Sequence, residues 1–120
     1  MLDAELRARV VAWRDDDPDE ATVDQTNTLL AAADAGGATA IAELESAFGP
    51  FLEFGTAGLR GQIGAGPSRM NRAVVSRAAA GLAAYLLQHG GRRAVVGYDA
   101  RHRSIDFAID TCEILQAAGI

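Results

Sequence analysis

The sequence predicts an α/β fold: a helical lead-in over residues 1–50, then a sheet-based domain over residues 51–120. Apolar residues recur at helical spacing through the first stretch. At Phe51 that spacing gives way to apolar residues interleaved with glycine. From there the order reads strand, loop, helix, strand, loop, helix.

Residues 3–13 form the first expected helix, with Leu2, Leu6, Val10 and Trp13 on one side. Asp15-Asp16-Asp17-Pro18 interrupts it. Three adjacent carboxylates could hold a metal, but helix capping accounts for them better: Asp17 as N-cap, Pro18 at the first helical position and Glu20 three residues on from the cap. That second helix runs to about Ala33 and stops before Gly36-Gly37. A third, over 39–48, carries Ile41, Leu44 and Phe48 and ends at Gly49-Pro50. Residues 51–66 read as a strand, a tight turn and a glycine loop whose backbone can approach a ligand closely. Asn71 caps a strong helix over 72–88, with Val75, Ala78, Ala79, Leu82 and Leu86 as its apolar face. Residues 94–98 read as a short buried strand. Ser104 caps the last helix, with Ile105, Ala108, Ile109, Cys112 and Leu115 facing inward and Cys112 a buried, inert thiol. Ile120 looks like the first residue of a further strand, so the chain reads as a fragment.

Composition narrows the chemistry. Residues 1–53 hold twelve acids and three arginines, whereas residues 54–120 hold four acids and eight arginines, and the chain has no lysine. A Walker A loop requires that lysine. Gly61, Gly64 and Gly66 fall in the wrong order for a dinucleotide fingerprint. His89 and His102 lack partners at zinc-ligand spacing, and His89 at a helix C-terminus suits the helix dipole. With six per cent aromatics and an acidic balance, the chain is no nucleic-acid binder. No apolar run nears the ~20 residues of a membrane span, and a cytoplasmic protein is expected.

What remains is an anion site of glycine backbone and arginine. Arg60 falls at a strand end inside a glycine loop, and Arg101 lies in the loop after the second strand. A charge-assisted hydrogen bond from either to phosphate is worth ~1.5–3 kcal/mol. The competing reading pairs Arg60 with a carboxylate and Arg101 with Asp99.

Phe54–Gly61, which reads Phe-Gly-Thr-Ala-Gly-Leu-Arg-Gly, resembles the signature of the α-D-phosphohexomutase superfamily. Gly66-Pro67-Ser68-Arg69-Met70-Asn71, the run Gly97–Arg101 with Ser104 and Phe107, and the lead-in with Trp13, Asp17-Pro18 and Thr22 fit the same pattern. The resemblance covers about residues 11–120. It points to the branch that holds type-2 phosphoglucomutases and phosphopentomutases.

The resemblance implies that residues 51–120 are part of a three-layer α/β/α mixed-sheet domain, the first of four. It implies a phosphosugar mutase: a phosphoserine passes its phosphoryl group to a sugar phosphate, and the resulting bisphosphosugar returns the other one. Mg2+ and a bisphosphosugar activator are the implied cofactors; a phosphosugar and the remaining mutase domains are the implied partners. Arg60 matches the signature arginine beside the transferring phosphate. Thr56 and Gly58 match positions that shape that loop, and Asp99 and Arg101 a motif that supports the adjacent one. The family's Thr-x-Ser-His-Asn-Pro serine loop and its metal and sugar loops have no counterpart in residues 1–120, so no catalytic residue or metal ligand is expected here and the segment alone should be inactive. A non-catalytic anion-binding module, or a degenerate mutase fragment, is the alternative.

Overall fold

The computed structural model describes residues 1–120, which divide into two compact bodies, residues 1–71 and residues 72–120. No helix is long and apolar enough to cross a membrane.

The first body is built on three helices: α1 (Ala4–Asp16), α2 (Glu20–Asp34) and α3 (Ala38–Ala47). Asp3 caps α1 by accepting the Leu6 amide at 2.9 Å. The N-cap of α2 lies two residues beyond the expected Asp17, past Pro18. Asp19 is the N-cap, and its Oδ1 accepts the Ala21 amide at 3.0 Å. Proline disfavours helical backbone in the residue before it, which keeps Asp17 extended and outside the helix. Asp17 instead braces the turn, taking the Asp19 amide on Oδ1 (3.0 Å) and the Thr22 hydroxyl on Oδ2 (2.6 Å).

The core of this body gathers Leu2 ahead of α1, Leu6 and Val10 from α1, Leu30 and Ala33 from α2, Ala40, Leu44 and Ala47 from α3, and Phe48 at the C-cap of α3. Of the predicted stripe, Leu2, Leu6 and Val10 are buried, and Trp13 is partly buried against the same core. Each fully buried Leu or Val contributes ~1.5–3 kcal/mol relative to exposure. Trp13 meets Phe48 and Phe51 edge-on, with ring centroids 6.5 and 6.0 Å apart, and so closes α1 over the end of α3.

Beyond α3 lies a small antiparallel hairpin, β1 (Phe54–Gly55) and β2 (Gly58–Leu59), with Phe54 opposite Leu59 and Gly55 opposite Gly58. Thr56 and Ala57 keep negative φ, and the left-handed step is taken by Gly58 at φ +97°, an arrangement that suits a short hairpin.

The second body pairs α4 (Arg72–Gln88) with α5 (Ser104–Ala117). Three expectations fail here. Residues 94–98 form no strand: Val95 is fully exposed and Tyr98 largely so. A strand exists only through its neighbour's hydrogen bonds, and the two strands present pair with each other. The buried faces also match the predicted ones only in part, at Ala79, Ala108 and Leu115. α4 buries Val74, Ala79 and Ala83 and leaves Leu82 exposed; α5 buries Ala108, Asp110 and Leu115 and leaves Ile105, Ile109 and Cys112 exposed. Two helices in contact cover only one stripe each, and small alanines allow the closest approach. Finally, Ser104 opens α5 as its first residue, while Arg103 occupies the cap position in the left-handed region at φ 69°.

Candidate anion-binding site

The hairpin and its following loop set out the Arg60 site. Arg60 comes directly after β2, is exposed, and has no hydrogen bond or ion pair on its guanidinium. Of the two readings the residues left open, pairing with a carboxylate is therefore not what the structure shows. Thr56 is exposed at the hairpin tip, and Gly58 makes the turn that returns the chain toward Arg60.

The loop from Gly61 to Met70 is firmly held. The Met70 amide donates to Gln62 O at 2.8 Å, and the Gly64 amide to Met70 O at 3.1 Å. The Leu52 amide donates to Pro67 O at 3.0 Å, which ties the entry to β1 onto the same loop. Asn71 is buried, and its Nδ2 donates to both Gly64 O and Gly66 O at 2.8 Å. Gly66 is at φ +106°, and a Cβ there would collide with Ala47 O, so only glycine lets the loop seat against the end of α3. Two lead-in helices reach the loop by side chains. Gln25 Oε1 of α2 accepts the Ala65 amide at 3.0 Å; Arg69 Nη2 bridges Glu43 Oε1 (3.2 Å) and Ser46 Oγ (2.9 Å) of α3.

Asp99 and Arg101 belong to the second body, where they are brought together. The Arg101 amide donates to Asp99 Oδ1 at 3.1 Å, and Arg101 Nε to Oδ2 at 2.8 Å. The Asp99 amide donates to Ser104 Oγ at 3.2 Å, which anchors the turn at the start of α5. The Arg101 amide first, then its guanidinium, holds the Asp99 carboxyl below the usual aspartate range. For Arg101 the structure thus shows the ion pair that the sequence left open against anion binding.

The serines offer little nucleophile geometry. Ser46 accepts from Arg69, the Ser68 hydroxyl makes a short bond to Pro50 O, and Ser104 accepts from Asp99. An open depression of about 260 Å3 in the second body is lined by Arg72, Arg103, Asp106, Ile109 and Asp110. Carboxylates match both of its cations: Arg72 grips Asp110 through Nε (2.8 Å) and Nη2 (2.9 Å), and Arg103 Nε lies 2.9 Å from Asp106 Oδ2. Arg60 is the contrast, a cation without an anion.

Sequence reasoning missed Gln25 and the Arg72–Asp110 pair. Forty residues separate Gln25 from Ala65, and thirty-eight separate Arg72 from Asp110, so no local pattern marks either.

Residues 52–120 match the family model described as "Phosphoglucomutase/phosphomannomutase, alpha/beta/alpha domain I". A Schizosaccharomyces pombe protein named "Probable phosphoribomutase" is 38% identical over 122 residues, covering 98% of this chain and 20% of its own length. The Saccharomyces cerevisiae "Phosphoribomutase" is 37% identical over 107 residues, covering 88% of the chain and 16% of its own length. A Staphylococcus haemolyticus "Phosphoglucomutase" is 46% identical over 77 residues, covering 63% of the chain and 14% of its own length. The chain thus spans a fifth or less of these relatives. No solved structure matches it.

Proposed function

Because this chain belongs to the phosphoglucomutase/phosphomannomutase family, we propose that it is the N-terminal segment of a cytoplasmic phosphosugar mutase, with Arg60 on one wall of its cleft. The reaction in this reading interconverts sugar 1- and 6-phosphates, or pentose 1- and 5-phosphates, through a phosphoserine and a bisphosphosugar. One observation carries the role of Arg60: a guanidinium with no internal partner, at the end of a hairpin whose following loop is hydrogen-bonded on both sides.

A guanidinium presents parallel N–H donors that fit two phosphate oxygens at once. Phosphoryl transfer spreads charge over those oxygens, and donors fixed before the reaction stabilise it without reorganising. Arg60 orients the phosphate and offsets its charge; the hairpin tip at Thr56 and Gly58 shapes the approach. The Asp99–Arg101 turn supports the neighbouring loop from within its own body.

Magnesium, which the family implies, finds no ligand set in this chain: no three carboxylate, histidine or cysteine side chains come together. In this reading its ligands lie outside residues 1–120, as does the phosphoserine. Both the phosphoribomutase and phosphoglucomutase names among the similar proteins are compatible with Arg60, because a phosphate contact does not read the sugar.

The test is turnover of glucose 1-phosphate and ribose 1-phosphate by the full-length protein, with a bisphosphosugar activator present. Activity on at least one is expected, while residues 1–120 alone should stay at the blank. Arg60→Lys in the full-length protein should lower kcat/KM by about ten- to a hundredfold, the equivalent of one charge-assisted hydrogen bond, with the thermal midpoint unchanged. An unchanged rate would return Arg60 to a surface role.

A further inference from the structure

We propose that Gln25 and Asn71 are positioning residues for Arg60, an inference that rests on the mutase reading above. The hairpin cannot fix Arg60 by itself. Each of its strands is two residues long, and so short an isolated hairpin is marginal in water. Something else must hold the backbone on which the guanidinium stands.

The two carboxamides supply that hold. Asn71, 3% exposed, donates from one nitrogen to the carbonyls of Gly64 and Gly66. Gln25 accepts the amide of Ala65, the residue between them, from the opposite partner. Three successive residues are thus gripped by two side chains, one of them from α2, forty positions away. The grip reaches Arg60 along two routes. Met70 bonds back to Gln62, two residues past Arg60, and Pro67 O takes the amide of Leu52, two residues before β1. Both ends of the hairpin are therefore fastened to the loop that the amides clamp. A donor misplaced by about 1 Å can cost about a hundredfold in rate, so the lead-in helix α2 is part of the site's support and not only an appended arm.

Gln25 is exposed, which makes its variants suitable probes in the full-length enzyme. Gln25→Ala should lower kcat/KM about tenfold with no change in thermal midpoint. Gln25→Glu keeps the acceptor oxygen and should stay within about twofold of wild type. Amide hydrogen exchange at Ala65 should speed up in Gln25→Ala and not in Gln25→Glu. In an Arg60→Lys background, the Gln25→Ala penalty should shrink below about twofold, since the oriented fork it serves is gone. Asn71→Asp turns a donor facing two carbonyls into an acceptor and should show the larger loss.

A Gln25→Ala enzyme as fast as wild type overturns the proposal. So does a penalty that persists undiminished in the Arg60→Lys background, because Gln25 would then act elsewhere. Either result leaves the mutase reading standing. A wild-type protein silent on sugar phosphates is the separate outcome that removes the reading, and the proposal with it.

Discussion

The two bodies of this chain use helices of similar length and reach opposite results. In residues 1–71, three helices enclose Val10, Leu44 and Thr26 until almost nothing of them meets solvent. In residues 72–120, two helices bury three alanines with Val74, Leu115 and Asp110, and leave Leu82, Tyr85, Ile105 and Ile109 at 46–58% exposure. The lesson concerns enclosure. A third helix gives each apolar stripe a second surface to cover it, whereas a lone pair covers one stripe per helix. The second body compensates with polar contacts: the forked Arg72–Asp110 pair between α4 and α5, where Asp110 is 7% exposed.

Four measurements can break or sharpen this contrast. Leu44→Ala should have the largest effect, about 2–5 kcal/mol lost from the first body, because the site is closed on all sides. Denaturant unfolding followed by Trp13 fluorescence, a probe seated in that body, would report it. Arg72→Ala comes next. It strips the partner from a buried carboxylate, and since Arg72 is itself about one-third exposed the cost should be about 1–3 kcal/mol, below that of a fully buried pair. A loss of under half a kcal/mol would mean that solvent already screens the pair.

Ile109→Ser should lie within about 0.5 kcal/mol of wild type, as for other exposed positions. A large loss would show that this face is covered and would erase the contrast between the bodies. The smallest effect concerns Asp99. Its folded pKa is lowered by the Arg101 amide and guanidinium, so its contribution is present above the ordinary aspartate range and fades as pH falls through the lowered value. Carboxyl NMR titration should find the Asp99 midpoint below that of an unstructured aspartate. A midpoint at the ordinary value would mean that the turn does not persist in solution.

Legibility followed the same division. Leu2, Leu6 and Val10 were readable because their spacing matches one helical stripe and a partner exists for it. The stripe named for α5 has equally good spacing, yet Ile105, Ile109 and Cys112 are exposed. Spacing tells that a helix forms and which residues share a side; it cannot say which side meets a neighbour. Residues 94–98 failed for a related reason, since Val-Val-x-Tyr prefers extended backbone but cannot provide its own hydrogen-bonding partner.

The site divides in the same way. From sequence alone came the signature Phe54–Gly61, the exclusion of lysine-dependent phosphate binding, and Arg60 as the residue to watch. These are local facts, carried by residue identity and order along eight positions. Only the tertiary structure decided that Arg60 is unpaired while Arg101 is committed to Asp99, and that Gln25 and Asn71 hold the loop beyond Arg60. Pairing between charges, and support across forty residues, depends on which groups the packed chain brings within about 3 Å of each other, and one-dimensional spacing carries no measure of that distance.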